Sequence, residues 1–108
     1  MTELNPAQMD LAKLRENAGN AGSLLKALGN PDRLLLLCQL VEGEMNVGEL
    51  ERRLQIVQPT LSQQLGVLRR EGLVDTRRDG RQIFYRISSP DALAIIETLY
   101  GLYCASEK

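Results

Sequence analysis

Histidine is absent from all 108 residues, and only two cysteines, Cys38 and Cys104, are present. A tetrahedral zinc site of nitrogen and sulfur ligands would have to be built from Cys, Asp and Glu alone. No imidazole can act as a base, there is no Cys-x-x-Cys pair, and no glycine-rich cofactor loop occurs, so a thiol redox enzyme finds little support. No catalytic residue, metal or cofactor is expected. No apolar run reaches the roughly 18–20 residues that cross a bilayer, and the start, Met1 to Asp10, lacks the basic and apolar regions of a secretion signal. The expected location is the cytoplasm, without a membrane partner. There two thiols rest unpaired by default, and a switchable bridge stays open.

A strong net charge is missing as well. A balance of −1 argues at first sight against a nucleic-acid partner, because phosphate binding rests on Lys and Arg. The distribution argues the other way. Arg52, Arg53, Arg69, Arg70, Arg77, Arg78, Arg81 and Arg86 stand against Glu71, Asp75 and Asp79, giving +5 over Arg52–Arg86 and −6 elsewhere. Starting the window at Glu49 lowers the figure to +3, and a solvated mixed-charge surface would look similar. With 44% hydrophobic and 25% charged residues, the chain reads as one globular domain over residues 1–108.

Caps and breakers divide the chain into five helical segments and one hairpin. Leu11, Leu14, Ala18, Ala21, Leu25 and Leu28 recur at helical steps, with a loosening expected at Gly19 to Gly22 and a stop at Gly29. Asn30-Pro31-Asp32 supplies an N-cap, a first-turn proline and an acid at the positive helix end. The helix that follows is apolar on nearly all sides, so it is expected to be buried, Cys38 included. Asn46-Val47-Gly48-Glu49 has the spacing of a capping box and opens a short helix; Gln58-Pro59 opens another, ending near Gly72. Val74 and Thr76 then alternate with polar residues, as do Ile83, Tyr85 and Ile87, and Asp79-Gly80 marks the hairpin turn. Ser89-Pro90-Asp91 caps the last helix. Its two apolar stripes, Leu93, Ile96, Tyr100, Tyr103 and Ile95, Leu99, Leu102, exceed what one core needs. A homodimer interface made by the first and last helices, about 8–28 and 90–105, is therefore expected.

Two short helices joined by a tight turn and followed by a basic hairpin predict a mainly α fold, a winged helix-turn-helix. The major groove admits a helix whose first residues reach base edges while its amides face phosphate. Gln58, Thr60, Ser62, Gln63 and Gln64 stand at that end, and Arg77, Arg78 and Arg81 at the hairpin suit backbone or minor-groove contact. The partner so implied is double-stranded, pseudo-palindromic operator DNA.

Leu24–Leu34, Val47–Leu50, Gln58–Arg69 and Glu71–Val74 resemble the ArsR/SmtB family of bacterial repressors across nearly the whole length. The resemblance implies an α1-α2-α3-α4-β1-β2-α5 order, dimerisation through the end helices, and repression relieved by an inducer. It places Ser62 and Gln63 foremost in base reading. Many members bind metals through cysteines in the helix after Asn46, where this chain has Val47, Gly48 and Glu49. A second metal site of the family falls on Asp91, Leu93, Cys104 and Glu107, with both imidazoles lost.

Cys38, Cys104, the stretch Val41-Glu42-Gly43-Glu44 and the ending Tyr103-Cys104-Ala105 are similar to the persulfide-responsive BigR/SqrR branch. That likeness implies a redox pair, Cys38 and Cys104, joined by a disulfide or polysulfide when reactive sulfur species act as inducer. Either thiol could equally fill space in a core. An ArsR-type repressor answering a metal or another signal, a thiol enzyme, and a winged helix that binds only protein remain the competing readings.

Overall fold

Side chains that satisfy free amides set where the helices begin. The computed structural model describes residues 10–104. In it Asp10 accepts from the Lys13 amide at 2.7 Å and opens α1, Leu11–Leu28. Asn30 accepts from the Arg33 amide at 3.1 Å and opens α2, Pro31–Leu40. The capping box closes as expected: Asn46 Oδ1 accepts from the Glu49 amide at 2.8 Å, and Glu49 Oε1 accepts from the Asn46 amide at 2.9 Å. It opens α3, Val47–Leu54. Ser89 Oγ accepts from the Ala92 amide at 3.1 Å and opens the last helix, α5, Pro90–Tyr103. Only α4, Thr60–Arg70, has a residue at its N-cap, Pro59, whose side chain accepts nothing.

Between α2 and α3 runs a strand that the sequence reading lacks, β1, Met45–Asn46. It pairs with the outer edge of the hairpin formed by β2, Val74–Asp79, and β3, Gln82–Ile87. The sheet is antiparallel with order β1-β3-β2. The hairpin register puts Val74 opposite Ile87, Thr76 opposite Tyr85 and Arg78 opposite Ile83, as the alternation requires. Asp79 pairs with Gln82, so the loop is Gly80-Arg81, and Gly80 at φ +65 takes the position that a type II′ turn reserves for glycine.

The core gathers Leu36 and Leu37 of α2, Leu50 of α3, Leu61, Leu65 and Leu68 of α4, Val74 of β2 and Ile96 of α5. This is the expected winged helix-turn-helix, five helices with a small antiparallel sheet. Two expectations are corrected. Helix α1 runs unbroken through Gly19 and Gly22, and a side chain at either position would find open space. Helix α2 is buried on one side only: Leu36, Leu37 and Leu40 face the core, whereas Leu35 and Cys38 fall on the far side and are exposed. At either end of the chain α1 buries only Ala27 and Leu28, and α5 only Ala92 and Ile96.

Candidate nucleic-acid interface and thiol pair

The tight α3–α4 connection presents the N-terminal end of α4. Ser62 and Gln63 are exposed there and Thr60 is half-buried, while Leu61, Leu65 and Leu68 anchor the other side of the helix in the core. Two of the glutamines already hold partners. Gln58 Oε1 accepts from the Ser62 amide at 3.0 Å, supplying the helix end with the acceptor that Pro59 lacks. Gln64 is half-buried, and its carbonyl accepts from Arg33 Nη1 at 2.8 Å. The same guanidinium donates to the carbonyls of Ala27 and Lys26. Arg33 thus closes the C-terminal end of α1 and ties it to α4, a role that the sequence reading missed. The position is visible in sequence as the fourth residue of Asn30-Pro31-Asp32-Arg33, but its three acceptors come from elements brought together only by folding.

The basic window is also less uniform than its charge. Arg77 is paired with Glu44, and Arg86 lies 3.8 Å from Asp75. Among the described residues Arg52, Arg53, Arg69, Arg70, Arg78 and Arg81 have no carboxylate within ion-pair distance. Arg78 and Arg81 stand at the tip of the hairpin, with Arg77 further down the strand. The polar end of α4 and this wing therefore expose donors suited to bases and phosphates.

On another part of the surface, α2 and α5 leave a groove of about 360 Å³ lined by Cys38, Val41, Glu42, Ile96, Glu97 and Tyr100. Both thiols are free and exposed. Cys104 follows the last turn of α5, its amide donating to the Tyr100 carbonyl at 2.8 Å. Partial burial pushes the Cys38 thiol above the usual cysteine range, and the charge of Cys104 pushes it further. The two cysteines, 66 positions apart in the sequence, stand on α2 and at the C-terminal end of α5, helices that pack against each other. Among the described residues no group of three or more His, Cys, Asp or Glu side chains is arranged to hold a metal. Ala105 and Glu107, and the extension of the dimer helices to residues 8 and 105, lie outside the described residues. Among the described residues, no helix is long and apolar enough to cross a membrane.

Residues 30–76 match the profile of bacterial regulatory proteins of the arsR family. A biofilm growth-associated repressor of Agrobacterium fabrum is 50% identical over 105 residues, covering 97% of this chain and 90% of the relative. The crystal structure of the transcriptional repressor BigR from Xylella fastidiosa superposes with a TM-score of 0.81 at 50% identity, covering 92% of this chain and 98% of that one. Reduced HlyU from Vibrio cholerae, a protein described as a transcriptional activator, gives 0.83 at 47% identity, over 87% of this chain and 99% of its own. With the helix-turn-helix, the wing and relatives of this extent, the chain belongs to the arsR family of bacterial regulatory proteins.

Proposed function

We propose that the protein is a homodimeric transcriptional repressor that reads pseudo-palindromic operator DNA with α4 and the wing, and releases it when reactive sulfur species bridge Cys38 and Cys104. The observation that carries the DNA reading is the exposed polar end of α4, with Ser62 and Gln63 outermost and Gln58, Thr60 and Gln64 around them, beside a wing bearing Arg77, Arg78 and Arg81. In that arrangement Ser62 and Gln63 reach base edges, Gln63 being suited to bidentate bonds with adenine. The unpaired arginines neutralise phosphate. Relatives about half identical to the chain are named biofilm growth-associated repressors, against a less similar one named an activator, which favours repression.

The sulfur reading is carried by two free, exposed thiols on neighbouring helices, Cys38 lining the groove between α2 and α5 and Cys104 directly after the last turn of α5. Attack of the Cys38 thiolate on the outer sulfur of a persulfide releases a thiol and leaves Cys38 persulfidated. Cys104 then attacks that sulfur pair, forms the protein disulfide and expels hydrogen sulfide. The two protein thiols lose two electrons, and the sulfane sulfur gains them. If Cys104 is persulfidated first, the same displacement leaves a trisulfide. A bridge draws the end of α5 towards α2 and changes the spacing of the two reading helices. Half-sites one turn apart, about 34–36 Å, tolerate little such change. In a reporter strain carrying the protein and its operator, Cys38→Ser is expected to stay repressed after sulfide stress. Normal induction in that variant would refute the two-thiol mechanism.

A further inference from the structure

The hairpin does not present its three arginines alike. Strand alternation puts Arg77 on one face of β2 with Asp75, across from Phe84, whereas Arg78 falls on the face of Val74 and Thr76, and Arg81 lies in the loop. Arg77 Nε donates to the two Glu44 carboxylate oxygens at 3.0 and 3.3 Å, and Arg77 Nη2 donates to Glu44 Oε1. Its Cζ stands 4.7 Å over the Phe84 ring, and its Nη1 lies 3.9 Å from Asp79.

Glu44 is not part of the hairpin. It stands between α2 and β1, one residue before Met45, and β1 pairs with the edge of β3. Asn46, Phe84 and Arg77 lie level across the three strands. Asn46 Nδ2 adds a tie to Gln82 Oε1 at 3.2 Å. Contacts on this outer row therefore fasten the wing to the segment that leads into the helix-turn-helix.

A guanidinium engaged by a forked carboxylate and an aromatic face already has its charge balanced and part of its donor fork spent, so it has less to offer a phosphate than a free one. From this geometry we infer that Arg77 is a positioning residue, clamped by Glu44 and Phe84 to hold the wing in its reading pose, and that Arg78 and Arg81 make the wing's phosphate contacts. The inference rests on the DNA-binding reading and replaces one of its contacts.

The two roles leave different marks. A phosphate contact contributes about 0.9 to the slope of log affinity against log salt, whereas a clamp changes affinity and leaves the slope alone. The test is anisotropy of the reduced full-length protein on a fluorescent duplex from its own upstream region, over a series of salt concentrations. The variants are Arg77→Met, Glu44→Gln, the double variant and Arg81→Gln. Loss of the clamp is expected to weaken binding by about two- to fivefold, as suits an exposed pair. Arg77→Met and Glu44→Gln should weaken it alike, the double variant no further, all with the wild-type slope, while Arg81→Gln lowers the slope by about one. Arg77→Lys, which keeps the charge and loses the fork, should resemble Arg77→Met, and thermal melting checks that each variant folds. A slope lowered by about one in Arg77→Met, additive losses in the double variant, or wild-type or tighter binding by Glu44→Gln overturns the inference. Wild-type protein that binds no duplex refutes the DNA-binding reading itself, and the inference falls with it.

Discussion

Cys38 sits above the usual cysteine range because the groove strips part of its hydration, and because a thiolate at Cys104 opposes a second negative charge. The folded protein thus holds the Cys38 proton more tightly than the unfolded chain does. The resulting contribution to stability is complete below the unfolded pKa and is lost as pH rises through the folded one. The rate of Cys38 alkylation by iodoacetamide should rise through a midpoint above the usual cysteine range, and Cys104→Ser should lower that midpoint. An unchanged midpoint in the variant would mean that the thiols do not feel each other. At this scale the identity of a polar residue is legible before its partner is. Ser62 and Gln63 stand exposed where spacing puts them, yet Gln58 caps α4, Gln64 holds Arg33 and Arg77 holds Glu44. Partners 4, 31 and 33 positions away decide those roles, and only the first is local enough to read from a pattern.

Among the elements, those with local causes were legible. Each cap lies within three residues of the amide it serves, so the starts of α2, α3 and α5 follow from Asn30, Asn46 and Ser89. Strand β1 had no such signal. It is two residues long and exists because β3, about 40 positions later, offers an unpaired edge. The one-sided burial of α2 was hidden for a related reason: a run of four leucines and a cysteine shows no periodicity until neighbours choose a face. Asn46 serves three partners, the Glu49 amide, the Glu49 carboxylate and Gln82. Asn46→Ala removes the two that need its side chain and is expected to cost about 1–2 kcal/mol in urea unfolding. A loss below a few tenths would show that the box does not hold α3 in place.

Taken whole, the molecule is extended. Its Cα radius of gyration is 16.3 Å, where a compact chain of this length has about 13 Å. The excess goes with two end helices that leave Leu11, Leu14 and Leu25 on α1, and Tyr100, Leu102 and Tyr103 on α5, largely exposed. A monomer gains nothing from such surfaces, and a two-fold partner would cover them. The parent is expected to sediment as a dimer at micromolar concentration and the double variant Leu25→Glu/Tyr103→Glu as a monomer; a monomeric parent would refute the dimer, and an unchanged dimer in the variant would put the interface elsewhere.

In the proposed function, the state of one thiol pair decides whether the operator is held. That dependence is tested most directly by anisotropy of the reduced protein on its upstream duplex, before and after a persulfide donor, with intact mass read on the same samples and Cys104→Ser alongside. Tight binding is expected when the protein is reduced, release in step with loss of two hydrogen atoms, with or without added sulfur, and binding retained by the variant. Tight binding that persists in fully bridged protein would contradict it.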